Sequence, residues 1–420
     1  MNNLKNIPKQ PARSLPKHWQ LKKLGEICTY SKGKKPAILK EVKTNECSIP
    51  YINIKAFEKG IISEYTNGEK CNICEDGDLL MVWDGARCGL IGKAKKGAVG
   101  STLMKILPKE NILKEYLYHF ISSKFWTLNT KPKGVGIPHI EPSLLWNFEL
   151  VIPPLPEQQA IVAKIEELLS ELENGKQQLL TAQQQLKVYR QSLLKWAFEG
   201  KLTNKNVKEG ELPKGWKTKK LKEITTVLGD GLHGTPKYSE TGEYYFINGN
   251  NLNDGKIEIK RITKRVSFEE YNKYKKPLSE NSVLVSINGS LGYTAFYNNE
   301  KVVLGKSACY FNVIDSVSKH YVRYFLTTSF FQSYAIKNAT GSTIKNVGLK
   351  AMRELPIPIP ETLEEQQLIV SELESKLTVC DKIEETINQS LQQAETLKQS
   401  ILKKAFEGKL VVSKEPEISL

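Results

Sequence analysis

The sequence predicts a mixed α/β (α+β) fold built twice, as two pseudo-repeated domains separated by two long helices that form an antiparallel coiled coil. Three observations predict it: an internal repeat of about 200 residues, positive charge confined to two blocks, and two unbroken heptad seams of apolar residues.

The repeat is read directly. Leu15-Pro-Lys-His-Trp-Gln-Leu-Lys-Lys-Leu-Gly-Glu-Ile27 returns as Leu212-Pro-Lys-Gly-Trp-Lys-Thr-Lys-Lys-Leu-Lys-Glu-Ile224, an offset of 197. Tyr51-Ile-Asn53 returns as Phe246-Ile-Asn248, and Asp78–Gly85 as Ser282–Gly289. Glu157-Gln-Gln159 returns as Glu365-Gln-Gln367. Ala197-Phe-Glu-Gly-Lys-Leu202 returns as Ala405-Phe-Glu-Gly-Lys-Leu410, an offset of 208. The matches keep their order and the offset drifts slowly, as a duplication requires. Domain boundaries follow: a first domain at 1–155, a first helix at 156–200, a second domain at 201–360, a second helix at 361–412 and a tail at 413–420.

Charge follows the same boundaries. Residues 1–155 carry 24 Lys/Arg against 14 Asp/Glu, and residues 201–360 carry 25 against 14. The helical blocks carry 5 against 6 and 7 against 12. An evenly basic surface would not alternate in this way. Two blocks of this sign suit phosphate neutralisation and salt-dependent binding of nucleic acid.

Within the basic blocks, short β-branched and aromatic runs bounded by glycine predict strands at Leu79–Trp83, Ser282–Ile287, Tyr293–Tyr297 and Val302–Leu304. Apolar residues three or four apart predict helices at Lys114–Phe125 and Lys319–Tyr334. In the helical blocks the seam steps three and four: Ile165, Leu168, Leu172, Gly175, Leu179, Ala182, Leu186, Tyr189, Leu193 and Trp196. Its second version, less strict, is Leu373, Leu377, Cys380, Ile383, Ile387, Leu391, Ala394, Leu397 and Ile401. Prolines stand just before each run (Pro153, Pro154 and Pro156; Pro356, Pro358 and Pro360), and Gly200 and Gly408 stand where each should stop. A helix from Glu157 to Glu199 is roughly 64 Å long at 1.5 Å per residue, too long to hide its seam on a compact domain. Pairing of the two seams is the economical solution. An antiparallel pair would relate the copies by a pseudo-two-fold axis, so that two dissimilar basic domains meet two separated half-sites on one duplex.

Signatures of chemistry are missing. Ile152-Pro-Pro-Leu155 lacks the amide or carboxylate with which an amino-methyltransferase motif holds its target amine. Gly134-Val-Gly136 does not continue into a dinucleotide loop, and Gly305-Lys-Ser307 lacks the first glycine of a phosphate loop. Asp254-Gly-Lys-Ile-Glu-Ile-Lys260 reads as a turn into a strand in preference to a nuclease cluster. Cys71-Asn-Ile-Cys74 has no second pair, the five histidines have no ligand spacing, and no metal site is expected. A polar, proline-bearing N-terminus and reduced, scattered cysteines predict a cytoplasmic protein.

Candidate contacts to DNA lie on loops of the basic blocks. Lys32, Lys34 and Lys35 sit in Lys32-Gly-Lys-Lys-Pro36, whose rough counterpart, Gly229–Lys237, carries His233, Thr235 and Lys237. Glycines let backbone approach phosphate, and the cations supply charge. Lys131, Lys133 and His139 precede the first long helix, and Thr343, Lys345 and Asn346 precede the second. Trp83 and Arg87 lie in one turn, and Asn288 and Ser290 in its repeat. Arg87 has the donor pattern for guanine and Asn288 that for adenine. Plain surface turns account for the same residues, and a coiled-coil scaffold for acidic proteins stays open as an alternative.

Four motifs together resemble those of the specificity subunits of type I restriction–modification systems, over nearly the whole chain. They are Leu-Pro-x-x-Trp opening each half, Pro-Pro-Leu-Pro-Glu-Gln-Gln at 153–159, its looser form at 360–367, and the paired Ala-Phe-Glu-Gly-Lys-Leu. Gly231-Leu-His-Gly-Thr-Pro-Lys-Tyr238 also resembles a loop of such proteins, whereas Ser31–Pro36 in the first half departs from it. The resemblance implies two target-recognition domains reading a bipartite asymmetric site on double-stranded DNA, and a helical spacer docking two methyltransferase subunits. It also implies restriction (motor-nuclease) subunits. This chain would be non-catalytic and bind no cofactor. S-adenosylmethionine, ATP and Mg would belong to the partners.

Overall fold

A computed structural model describes residues 18–131, 137–204 and 206–410. The chain divides into two compact units whose boundaries cut across the sequence repeat. The first is Met1–Gln178 with Ser390–Leu420, and the second is Leu179–Gln389. Each unit thus joins one basic domain to the start of one long helix and the end of the other.

In the first unit, Gln20–Lys23 pairs antiparallel with Glu149–Ile152, the strand that feeds the first long helix. A four-stranded antiparallel sheet runs in the order Cys28–Lys32, Leu103–Pro108, Leu79–Val82, Ile91–Lys93. A second sheet runs Tyr65–Thr66, Ile49–Ile52, Gly97–Val99, Ile73–Cys74, with a parallel pairing at its centre. The second unit repeats this plan. Lys217–Lys220 pairs with Pro356–Ile359, and the large sheet runs Thr225–Asp230, Ala308–Val313, Ser282–Ser286, Thr294–Phe296. Its second sheet is Arg265–Val266, Tyr244–Ile247, Val302–Leu304. The predicted strands are present with ends trimmed by a residue or less. The helix expected over Lys319–Tyr334 is two, Lys319–Phe325 and Ser329–Asn338. Thr328 makes the break: its Oγ1 donates back to the Phe325 carbonyl and accepts the Phe331 N–H that starts the next helix. The helix from Lys114 likewise ends at Ser123, and a separate one runs Phe125–Thr130.

The two long helices are Leu155–Phe198 and Leu363–Phe406, 44 residues each. In the second unit, Gln183 donates to Asn388 at 3.2 Å, and Arg190 donates to Asp381 at 2.6 Å and to Glu384 at 3.0 Å. Moving forward on one helix moves backward on the other, so the pair is antiparallel. In the first unit Lys176 meets Glu395 at 2.5 Å. Ile165, Leu186, Leu193, Leu373, Ile387 and Ile401 are buried on the seam, with Leu168, Leu172, Leu179, Leu377 and Leu391 half-buried. Ile383 and Leu397 are 44% and 50% exposed. The second seam advances by strict sevens through Leu373, Cys380, Ile387, Ala394 and Ile401, and those two residues stand one position before its alternate sites at 384 and 398.

The repeated motifs turn out to be fasteners within each unit. Trp19 Nε1 donates to Glu157 at 2.8 Å, and Trp216 Nε1 donates to Glu365 at 2.9 Å. The next residues, Gln158 and Gln366, are fully buried. Gln158 accepts from the Leu113 N–H and donates to the Asn111 and Pro153 carbonyls. Gln366 accepts from the Ser318 N–H and donates to those of Ser316 and Pro360. A glutamine alone supplies an acceptor and two donors at that reach. The Ala-Phe-Glu-Gly motif closes the other end. Phe406 lies edge-on to Tyr116 and Phe120, and Phe198 edge-on to Tyr321 and Phe325. Gly408 lies against Trp19, and Gly200 against Pro213 and Trp216. Both glycines have positive φ, 73° and 75°, which suits glycine at a helix end. Each motif therefore docks on the domain of the other repeat.

Candidate nucleic-acid interface

In the second unit, three loops converge where the two sheets end. Thr225–Asp230 leads into Gly231–Lys237, Ser282–Ser286 ends in Ile287–Ser290, and the third segment is Lys345–Leu349. Gly231 is obligatory because any Cβ there would overlap the Leu304 and Gly305 carbonyls. That close approach lets the Leu232 N–H donate to the Leu304 carbonyl and the Lys306 N–H to the Leu232 carbonyl. Asn288 and Asn346 pair through their backbones, and Asn288 Nδ2 donates to Asn346 Oδ1 at 3.1 Å. Gly289 N–H donates to the Lys345 carbonyl and Val347 N–H to that of Ile287.

The result is a cavity of about 500 Å³ of mixed lining, with Asp230, His233, Asn288, Lys306 and Asn346 set beside apolar Ile287, Val347 and Leu349. His233 and Lys306 also line an adjoining cavity of about 480 Å³ with Thr235, Phe246 and Asn248. His233 Nε2 lies 2.6 Å from Asp230 Oδ2. Asn248 Oδ1 accepts from Ser307 Oγ, which in turn accepts the Gly249 N–H. Amides, a cation and an imidazole around a concavity offer both donors and acceptors, the requirement for reading base edges.

The first unit builds the same junction. Asp84 and His139 pair through their backbones, Gly85 N–H donates to the Pro138 carbonyl and Ile140 N–H to that of Trp83. Gly33 approaches the Val99 and Gly100 carbonyls as Gly231 does Leu304 and Gly305. Strand registers set Lys32 opposite Met104 and Asp230 opposite Cys309, which makes Lys32 and Asp230 equivalent. Asp84 corresponds to Asn288, His139 to Asn346 and Ser101 to Lys306. In place of the Asp230–His233 pair, Lys32 Nζ meets Asp84 at 2.9 Å.

The predicted residues divide accordingly. His233, Thr235, Asn288 and Asn346 are gathered at one place, and Lys32 joins Asp84 beside His139. Lys34, Lys35, Lys131, Lys237, Ser290, Thr343 and Lys345 are exposed on loops and line neither cavity. Trp83 is half-buried and packs on the core of its unit. Arg87 donates to Glu58 at 2.8 Å, so its guanidinium is engaged inside its own unit. Lys133 lies outside the described residues. Asp230, Lys306 and Asn248 were not predicted. Lys306 stands in the Gly-Lys-Ser that fails as a phosphate loop, and only its place after a buried strand gives it a role. Among the described residues no group of three or more His, Cys, Asp or Glu is placed to hold a metal ion. Cys71 and Cys74 turn to different carbonyls. No helix among the described residues is long and apolar enough to cross a membrane.

Two units of one topology, each ending its sheets in a polar, cation-bearing junction, with paired helices running on from them, define a duplicated nucleic-acid recognition protein. The model of the type I restriction modification DNA specificity domain matches residues 16–182 and 213–393, and the chain belongs to that family. It is 27% identical to the type I restriction enzyme MjaVIII specificity subunit of Methanocaldococcus jannaschii, over 97% of this chain and 96% of that one. To the EcoBI specificity subunit of Escherichia coli it is 26% identical, over 88% and 82%. The fold matches a chain from a structural study of type I R-M assembly and conformational transition, with TM-score 0.70, 23% identity and coverage of 94% and 99%. The HsdS subunit of Thermoanaerobacter tengcongensis matches with TM-score 0.60, 21% identity and coverage of 94% and 98%.

Proposed function

We propose that each unit reads one half of a bipartite, asymmetric site on double-stranded DNA, and that the paired helices dock two methyltransferase subunits. Restriction subunits join this assembly and add ATP-driven cleavage. The chain itself performs no chemistry: S-adenosylmethionine, ATP and Mg are bound by its partners. The site of action is the cytoplasm.

One observation carries this reading. The two junctions share backbone contacts position for position, yet their side chains differ where a ligand would touch: Lys32 against Asp230, Asp84 against Asn288, His139 against Asn346. A conserved frame with exchanged donors and acceptors is what two different base sequences require. A scaffold for acidic proteins would have no use for that exchange.

The test is to express the chain with its cognate methyltransferase subunit and map methylated adenines across a genome. A single two-part motif that vanishes when this chain is omitted supports the reading. Retention of the chain by acidic proteins, with no DNA bound above competitor, would establish the scaffold instead. Methylation by the purified chain alone would show that it is an enzyme.

A further inference from the structure

The edge of the second sheet differs in charge between the two units. In both units a turn enters the edge strand beside the junction. Phe246 N–H donates to the Lys264 carbonyl, and Tyr51 N–H donates to that of Glu64, so the turns align residue by residue. The first unit reads Gly60-Ile-Ile-Ser-Glu-Tyr65, and the second reads Lys260-Arg-Ile-Thr-Lys-Arg265. The imbalance extends around it: residues 53–78 hold three lysines against six acids, and residues 248–282 hold eight Lys/Arg against five.

The basic turn is built, not loose. Thr263 N–H donates to the Lys260 carbonyl at 2.9 Å, and Lys260 N–H donates to Thr263 Oγ1 at 2.9 Å. Asn251, nearly buried, donates to the Glu258 carbonyl and to Thr263 Oγ1 from beneath. Ile262 is thereby held 85% exposed at the tip, among exposed Arg261, Lys264 and Arg265. Folding gains nothing from an isoleucine kept in water. Among the described residues the Lys260 ammonium meets the Asn250 carbonyl at 3.2 Å and Glu258 at 3.9 Å.

The turn also adjoins the junction. Lys264 pairs at the level of Phe246, which lines the smaller cavity, and its ammonium lies 5.8 Å from the ring of Tyr238. Tyr238 pairs with Val266, and Ser239 N–H donates to the Arg265 carbonyl, tying the His233 loop to this edge.

We infer that the turn Lys260–Thr263, with Lys264 and Arg265, grips the phosphate backbone of duplex DNA flanking the half-site read by the second unit. The acidic turn of the first unit makes no such contact. Ile262 lies between cationic shoulders as an apolar tip facing the groove, a combination seen in proteins that press side chains between phosphate walls. The inference rests on the DNA-reading function proposed above, and it makes the footprint longer on one side than on the other.

The assembled complex with its methyltransferase subunits tests this on a duplex bearing the mapped motif. Each phosphate contact contributes about 0.9 to the slope of log K against log salt. The variant K260Q/R261Q/K264Q should lower that slope by roughly 2–3 while the methylated motif stays the same. Without any variant, trimming the duplex flush with the second unit's half-site should weaken wild-type binding about tenfold or more, and trimming the other end should not. An unchanged slope and symmetric tolerance of trimming, with the motif intact, would overturn this inference alone. Loss of methyltransferase capture in the variant would show that the turn meets a protein partner and overturn it as well. A wild-type complex with no defined motif would sink the DNA-reading function and this inference together.

Discussion

The first and second units are one scaffold with two chemistries, and they differ at three depths. In the core they are interchangeable: Gln158 and Gln366 satisfy the same three backbone groups, and Phe406 and Phe198 fill the same aromatic niche. At mid-depth the solution changes. Asp78 is 5% exposed and held by Lys105 at 2.6 Å and Lys114 at 2.9 Å, while its equivalent Ser282 makes neutral hydrogen bonds with Ser279 N–H and Asn312. At the rim the charges are exchanged outright. Packing tolerates little substitution in close-packed interiors, whereas a solvent-facing junction leaves side chains free to follow the ligand.

That comparison can be broken hardest in the core. Phe406→Ala should destabilise the first unit, and Phe198→Ala the second, by about 3–5 kcal/mol each. Hydrogen exchange should show lost protection at Lys114–Ser123 in the first variant and at Lys319–Phe325 in the second. Loss in the unit that contributes the motif by sequence, not the one that receives it, would contradict the exchange of helix ends.

At the rim, Asn346→Ala should cost on the order of 1–3 kcal/mol of base discrimination. It should relax one position in one half of the methylation motif. His139→Ala should act on the other half only. A variant that blurs both halves would deny the units separate roles.

Acid separates the units at mid-depth. Burial alone would raise the Asp78 carboxyl, but hydrogen bonds from Lys105, the Glu75 N–H and Lys114 outweigh it and bring its pKa from the ordinary 3.8 to about 2. A folded pKa below the unfolded one adds stability that is full above pH 4 and lost as pH falls toward 2. The shift corresponds to roughly 2 kcal/mol. The Asp78 region of the first unit should therefore lose protection across that window. In the second unit Glu354 is also lowered to about 2, by hydrogen bonds from Lys220 and Lys222. Its side chain is 38% exposed and screened by solvent, so its titration contributes little. Asp78→Ser, which installs the residue found in the second unit, should remove that step in an acid titration followed by hydrogen exchange.

The smallest effect belongs to the Lys32–Asp84 pair, whose lysine is 48% exposed. Asp84→Asn should change unfolding by less than about 1 kcal/mol. A double-mutant cycle with Lys32→Ala in chemical denaturation measures it, and a larger coupling would mean that this rim is structural.

Much of the architecture is legible in the chain because it is periodic or repeated. Steps of three and four mark the long helices, and self-similarity marks two like domains. Thr328 escaped that reading, since a capping hydroxyl inside an apolar-periodic stretch breaks a helix that periodicity alone would continue. The off-seam position of Ile383 and Leu397 escaped it too, because a one-residue shift in a loose heptad is decided only by the facing helix. At the site, glycine-rich loops drew attention to His233, Asn288 and Asn346. Asp230, Lys306 and Asn248 were hidden, each being an ordinary residue at the end of an ordinary strand.

By itself, then, the sequence determined local conformation, the duplication, the sign of the charge and the family. Those are properties of residues near one another or of copies compared in order. Tertiary structure decided which repeat receives which helix end, which Trp meets which Glu, and which side chains share a cavity. The helix-end and Trp–Glu pairings join residues more than a hundred positions apart, and the cavity gathers residues from three separate loops. They are selected by the packing and hydrogen bonds of the folded unit, for which the linear pattern holds no neighbour relation.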